Sequence, residues 1–218
     1  ETPGTGQGVR LTLDADLQRA CEGLATLYLP RGCIVVMDTA TGEVLASVSM
    51  PSFDPQNIAA SIAANDTSLL NRPLRAFSAG SVFKVVLAAT AYESGLDWYT
   101  HDCTGEVEVA GQTRAADTRT VFDAATARVL RSMLASVVSE GIGSEAQPKT
   151  GTAGGKTGTA QTGQYDENGE ELLNYWFSGF YPADDPRYTI TVLQDGILKP
   201  ETSSAAIFAK VTELLAVW

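Results

Sequence analysis

The spacing of apolar residues along the chain predicts a small set of helices and strands. Apolar residues three and four positions apart are typical of amphipathic helices. They recur in four segments, residues 14–27, 81–92, 123–139 and 207–218. Short apolar runs rich in β-branched residues are typical of strands. They occur at residues 33–37, 43–50, 175–181 and 188–193.

The order of these elements predicts the fold class. A helix is followed by two strands, then by helices, then by two or three strands and a last helix. Strands joined by hairpins near both ends of the chain, with helices between and outside them, indicate an α/β (α+β) fold. In such a fold a mainly antiparallel sheet is covered by helices. Residues 1–10 are rich in glycine and threonine and are expected to be a linker remnant, and residues 11–218 are expected to form one domain.

Charge narrows the classes of function. The 15 Lys and Arg residues and 26 Asp and Glu residues give a formal net charge of −11. An acidic surface repels phosphate backbones, so nucleic acid is not an expected partner. The sequence has no run of about 18 apolar residues, so no part of it is expected to span a bilayer.

Cysteine and histidine are too few for the sites that usually depend on them. Cys21, Cys33 and Cys103 have no C-x-x-C spacing, and His101 is the single histidine, so no metal site is expected. The cysteines at positions 21 and 33 are expected to be small buried apolar residues. His101 lies in a polar stretch, and we expect nucleophilic catalysis, if present, to use a base other than histidine.

The segment Ser81-Val-Phe-Lys84 places a serine and a lysine three positions apart at the start of a predicted helix. Residues with this spacing lie one turn apart on one helical face. The lysine amine can then remove the serine proton where the site disfavours the ammonium form. The same spacing also suits a capping serine beside a solvated lysine, so Ser81 and Lys84 need a second motif to support them.

That second motif is Lys156-Thr-Gly158, followed by Thr159, in a glycine-rich segment. On a strand, the lysine charge and the hydroxyls of Thr157 and Thr159 can hold a substrate carboxylate. Gly158 has no side chain, so a substrate can approach the strand edge closely. The rival interpretation, a phosphate-binding loop, requires an earlier glycine where this chain has Thr150, so no nucleotide binding is expected.

S-x-x-K and K-T-G are two of the three signature motifs of class A β-lactamases and penicillin-binding proteins. With the segments around them, they resemble the transpeptidase domain of the class B penicillin-binding proteins. The resemblance extends over nearly the whole chain and is carried by residues 12–18, 36–46, 71–84, 141–143, 154–161 and 176–180.

The resemblance implies a reaction. Ser81 would attack the D-Ala–D-Ala carbonyl of a peptidoglycan stem peptide, or the ring of a β-lactam, with Lys84 as the general base. Lys156, Thr157 and Thr159 would bind the substrate carboxylate, and the N–H groups of Ser81 and Thr159 would form the oxyanion hole. No metal or organic cofactor is implied.

The resemblance also implies a location, the cell envelope outside the cytoplasm. The implied parent protein is anchored to the membrane by a segment outside this sequence and is able to bind cell-wall synthesis proteins.

The chain departs from the family in one respect. The third motif, S-x-N or a close variant, is absent from the sequence, and only 156 − 84 − 1 = 71 residues separate Lys84 from Lys156. We therefore expect an internal deletion near residues 111–120 and reduced or lost activity. Two alternatives stay open: a non-catalytic scaffold or binding module derived from the same fold, and a D,D-carboxypeptidase or serine β-lactamase.

Overall fold

The computed structural model describes residues 8–64, 67–96 and 122–218, and these residues form five α-helices and five β-strands. The helices are α1 (Ala15–Tyr28), α2 (Ile58–Ala64), α3 (Lys84–Glu93), α4 (Ala124–Ser139) and α5 (Ser204–Leu215). The strands are β1 (Gly32–Asp38), β2 (Val44–Met50), β3 (Gly154–Tyr165), β4 (Glu171–Tyr181) and β5 (Tyr188–Ile197). Three 3₁₀ turns complete the elements, at Arg72–Leu74, Gly80–Phe83 and Ser144–Ala146.

The strands form one sheet in the order β2-β1-β5-β4-β3, and every neighbouring pair is antiparallel. This confirms the predicted α+β fold with an antiparallel sheet covered by helices. Strand β5 lies in the middle, and its Ile190 and Val192 are fully buried. Strand β3 forms one edge of the sheet, which leaves one of its sides available for contacts outside the sheet.

Helices α1 and α5 pack on one face of the sheet. Helix α1 begins where Asp14 accepts hydrogen bonds from the N–H groups of Asp16 and Leu17, an N-cap that satisfies orphan donors. Its residues Leu17, Cys21 and Ala25 share the core with Ile207, Phe208 and Val211 of α5. Burial of this cluster of apolar residues contributes to the stability of the fold.

Helix α4 covers the opposite face. Neighbouring residues of a strand point to opposite sides of a sheet, so Gly154 and Gly155 of β3 report on its two faces. A β carbon at Gly154 would lie 3.1 Å from the backbone nitrogen of Ala135 in α4. A β carbon at Gly155 would instead meet the ring of Phe177, which packs against Phe208 of α5. The helices therefore sandwich the sheet.

The cysteines expected to be buried are buried. Desolvation raises the pKa of the Cys21 thiol and of the Cys33 thiol to about 12 each. Both thiols therefore stay protonated at neutral pH and behave as small apolar side chains. Among the described residues, no helix combines the length and apolar character needed to cross a membrane.

The structure corrects one local expectation. The helix expected to begin at Ser81 begins at Lys84, and Ser81 lies in the preceding 3₁₀ turn, Gly80–Phe83. Tight 3₁₀ turns are frequent at helix N-termini. Here Gly80, with φ +54°, lets the chain enter the turn while it lies against β3.

Candidate active site

The 3₁₀ turn at residues 80–83, named the nucleophile turn after the role predicted for Ser81, presents Ser81 one turn from Lys84. The N–H of Lys84 donates to the carbonyl oxygens of Ser81 and Val82, so the turn leads directly into α3. Ser81 is half-buried and Lys84 is exposed. The predicted pairing of these two residues on consecutive turns is therefore present in the backbone.

Two glycines allow the nucleophile turn to lie against β3. A β carbon at Gly158 would lie 2.7 Å from Cγ2 of Val82 and 3.2 Å from the carbonyl oxygen of Ala79. A β carbon at Gly80 would lie 2.5 Å from the carbonyl oxygen of Thr159. Real β carbons do not approach other atoms this closely, so each glycine makes room for the other segment. The two sequence motifs are joined at this contact.

Strand β3 presents the Lys-Thr-Gly motif at the edge of the sheet. Lys156 is opposite Ser178 and Gly158 is opposite Trp176 in the pairing with β4. Because side chains alternate along a strand, Lys156 lies on the same face as Gly158, the face that the nucleophile turn contacts. Thr157 and Thr159 alternate with these two residues along the strand, so they lie on the other face. Thr157 is half-buried and Thr159 is exposed.

The two lysines of the site are close enough to affect each other. Partial burial lowers the pKa of Lys156 below its ordinary value, and the positive charge of Lys84 lowers it further. The Lys156 ammonium donates to the carbonyl oxygen of Thr157 at 2.9 Å and lies 3.4 Å from its hydroxyl oxygen. Two cations beside a hydroxyl and an open strand edge are suited to an anionic substrate.

A buried ion pair anchors the chain upstream of the nucleophile turn. Arg72 is 1% exposed, and its Nε donates to the Asp195 carboxylate at 2.8 Å. Its remaining guanidinium nitrogens donate to the carbonyl and hydroxyl oxygens of Thr67. Arg31 also donates to Asp195, at 3.2 Å. Sequence analysis did not identify this group, because nothing in the local pattern pairs Arg72 with a residue in β5.

An aromatic contact holds the chain between that anchor and Ser81. The indole N–H of Trp176 donates to the carbonyl oxygen of Ser78 at 2.9 Å. The rings of Phe77 and Trp176 meet edge to face, with centroids 6.3 Å apart and an interplanar angle of 73°. In the sequence, Trp176 stands out only as part of the segment 176–180 that resembles the family, and its position opposite Gly158 is what makes the contact possible.

Several sequence expectations fall outside the described residues. They include His101, Cys103 and the deletion expected near residues 111–120. In the part of the chain that the structure describes, no cluster of three or more His, Cys, Asp or Glu side chains could hold a metal ion.

The fold and the site together define a class of protein. A serine and a lysine lie one turn apart and pack against a Lys-Thr-Gly edge strand of an antiparallel sheet. β-Lactamases and penicillin-binding proteins share this combination.

The chain belongs to the penicillin-binding protein transpeptidase domain family. The model of that family, described as the penicillin binding protein transpeptidase domain, matches residues 32–106 and 98–213. The membership confirms the predicted family.

Individual relatives match over shorter stretches. The chain is 46% identical over 72 residues to the peptidoglycan D,D-transpeptidase MrdA of Escherichia coli, which is 33% of this chain and 11% of that protein. It is 36% identical over 114 residues to the penicillin-binding protein PbpB of Mycolicibacterium smegmatis, 44% of this chain and 17% of that protein. The chain thus spans less than a fifth of the length of these curated relatives.

Solved structures share the fold over almost the whole chain. The D,D-transpeptidase domain of a peptidoglycan glycosyltransferase from Eggerthella lenta has a TM-score of 0.73 at 18% identity, covering 94% of this chain and 82% of that one. Penicillin binding protein 3 of Mycobacterium tuberculosis, solved with aztreonam, has a TM-score of 0.69 at 21% identity, covering 95% and 78%. At these identities the likeness establishes the fold.

Proposed function

We propose that this chain is a penicillin-binding serine acyl-transferase domain of D,D-transpeptidase type, with Ser81 as its nucleophile. The observation that carries the proposal is the packing of the nucleophile turn against β3 at Gly80 and Gly158. That contact lays the turn that contains Ser81 against the strand that contains the Lys-Thr-Gly motif. Its ligands are peptidoglycan stem peptides and β-lactams.

In the proposed reaction Lys84 takes the hydroxyl proton of Ser81 as the Oγ attacks the substrate carbonyl carbon. The bond from that carbonyl to the terminal D-alanine breaks, the amine leaves with a proton, and an acyl ester remains on the serine. A β-lactam reacts in the same way, with opening of its ring amide. The backbone N–H groups of Ser81 and Thr159 are the proposed donors to the developing oxyanion.

Substrate binding is assigned to the edge of β3. Lys156 supplies a positive charge, and Thr157 and Thr159 supply hydroxyl groups for the carboxylate of the substrate. Gly158 keeps the strand free of a side chain at the point where the nucleophile turn approaches. The lowered pKa of Lys156 fits a site that already holds excess positive charge and that an anion would relieve.

We also propose that activity is impaired. Lys84 is exposed, and nearby apolar side chains of the same segment are open to solvent, with Phe83 53% and Leu87 56% exposed. These exposed side chains, together with the missing S-x-N motif and the proposed deletion near residues 111–120, support this proposal. The same openness favours the second candidate, a non-catalytic scaffold.

The location is proposed from the relatives. Proteins called peptidoglycan D,D-transpeptidases act on a cell-wall polymer, so we place the parent of this chain in the cell envelope, outside the cytoplasm. A membrane anchor and partners among cell-wall synthesis proteins belong to that parent.

Intact-mass measurement after incubation with a β-lactam tests the function. We expect one adduct, mapped to the peptide that contains Ser81 and absent from the Ser81→Ala variant. Ser78→Ala is the matched control, since it removes a nearby serine hydroxyl and should leave the adduct in place. An adduct that persists in Ser81→Ala overturns the assignment. Hydrolysis of a chromogenic β-lactam would favour a β-lactamase, and the absence of any adduct would favour the scaffold.

A further inference from the structure

The strap, residues 75–79, links the Arg72–Leu74 turn to the nucleophile turn and has no regular secondary structure. Within the described residues, the backbone groups of residues 76–78 make no hydrogen bond to another backbone group. The bond from the Trp176 indole to the carbonyl of Ser78 is the one side-chain bond to the strap backbone in this part of the chain. Among the described residues, the strap backbone is thus hydrogen-bonded to the sheet at Ser78 alone.

Trp176 lies at the point where that contact has most effect on the site. It is directly opposite Gly158 in the antiparallel pair of β3 and β4, so the two residues share a face of the sheet. The missing side chain of Gly158 leaves space for Ala79 and Val82, and the indole beside it reaches Ser78. Phe77 packs against the same indole ring. The strap therefore crosses β3 and β4 over Trp176.

We propose that Trp176 is a positioning residue, and that its indole N–H sets where the nucleophile turn lies along β3. This inference rests on the proposed function of Ser81. The bonded carbonyl belongs to Ser78, three residues before the nucleophile, so a shift of the strap moves the serine Oγ relative to Lys156 and to the N–H of Thr159.

The glycine contacts do not replace this bond. Contact between Gly80 and the Thr159 carbonyl sets how close the turn approaches the strand. A contact between small groups tolerates sliding along the strand, whereas a hydrogen bond prefers one distance and one direction. Displacement of a reacting group by about 1 Å can cost about 10²-fold in rate. The indole bond is the feature that opposes such a displacement.

Replacement of Trp176 by phenylalanine tests the proposal, because it keeps an aromatic ring beside Phe77 and removes the donor. Trp218→Phe is the matched control, since Trp218 is 50% exposed at the end of the chain and follows α5, which packs on the other face of the sheet. In Trp176→Phe we expect the rate constant for acylation of Ser81 to fall about 10- to 100-fold. The dissociation constant of the non-covalent β-lactam complex and the pH profile of acylation should stay unchanged.

Amide hydrogen exchange gives a second measurement that needs no activity. The N–H of Val82 donates to the carbonyl of Ala79 inside the turn, and Ile34 lies fully buried in β1. Loss of the indole bond should speed exchange at Val82 and leave exchange at Ile34 unchanged, which separates a local effect from global unfolding.

The outcomes are distinct. Unchanged exchange at Val82 in Trp176→Phe overturns the proposal, and so does an equal increase at Val82 and Ile34. Unchanged acylation in a protein whose wild type is acylated also overturns it. If the wild type forms no adduct, the proposed function fails, and the exchange measurement still decides whether Trp176 positions the turn.

Discussion

The backbone of Gly80 lies directly against the carbonyl of Thr159, so that a β carbon at position 80 would be 2.5 Å from that oxygen. Gly80 also has φ +54°, a conformation that other residues rarely adopt. One residue thus meets two requirements, a left-handed backbone and a close approach to the strand of the second motif. The relationship makes Gly80 the residue whose substitution should disturb the site most directly.

Gly80→Ala should lower both the free energy of unfolding and the acylation rate. The control is Gly42→Ala, because Gly42 has φ +74° but no atom within 4 Å of the added carbon. Backbone strain alone should cost the control about 1–2 kcal/mol. The clash at position 80 should add about 1–3 kcal/mol, measured by urea unfolding. Equal losses in the two variants would show that the approach to Thr159 is not tight.

Arg72→Met should be strongly destabilising, since it leaves the buried Asp195 carboxylate with only its weaker partner, Arg31. Removing one partner of a buried pair typically costs about 3–5 kcal/mol. Lys149→Met is the comparison, because the Lys149–Glu213 pair has a lysine side chain that is 79% exposed. An exposed pair is worth about 0–1 kcal/mol. Similar unfolding free energies for both variants would contradict the anchoring role of Arg72.

Lys84→Met should raise the pKa of Lys156, because the charge of Lys84 is one of the two causes that lower it. The shift can be followed by NMR of ¹³C-methylated lysines. Lys210→Met is the control, since Lys210 lies in α5 over the Tyr28 ring, on the other face of the sheet. An unchanged Lys156 pKa in Lys84→Met would mean that the two ammonium groups are too far apart to act together.

The lowered pKa of Lys156 also predicts a pH dependence of stability. Between that lowered pKa and the ordinary value of 10.5, the unfolded chain binds more protons at this position than the folded chain. The free energy of unfolding should therefore rise with pH across this window. The rise attributable to this group should be missing in Lys156→Met, as measured by urea unfolding at a series of pH values.

Acylation of Ser81 should be at least about 10²-fold slower than in a version with a helical segment and S-x-N motif restored near residues 111–120. The resemblance to the family implies that the missing motif would supply a proton route to the leaving group and an anchor for the substrate amide. Second-order acylation rates of the two proteins with one β-lactam provide the measurement. Equal rates would show that a residue of this chain already replaces the missing motif.

Sequence alone determined the candidate residues and, among the described residues, four of the five α-helices and four of the five strands. The helical period of residues 14–27 is a local feature, and α1 forms where it predicts. The strand pairs β1–β2 and β4–β5 also follow from short-range signals, since each pair joins runs that are neighbours in the chain. Ser81 and Lys84 were identifiable because their three-residue spacing has a direct meaning in a helical turn.

Only the tertiary structure decided how the motifs meet. Gly80 contacts Thr159, Trp176 bonds to Ser78 across 98 positions, and Arg72 pairs with Asp195 across 123. Periodicity specifies which face of an element is apolar, but it does not specify which distant element lies against it. That depends on the strand order, which places β3 at the sheet edge beside β4 and so puts Gly158 and Trp176 under the strap that carries Ser81.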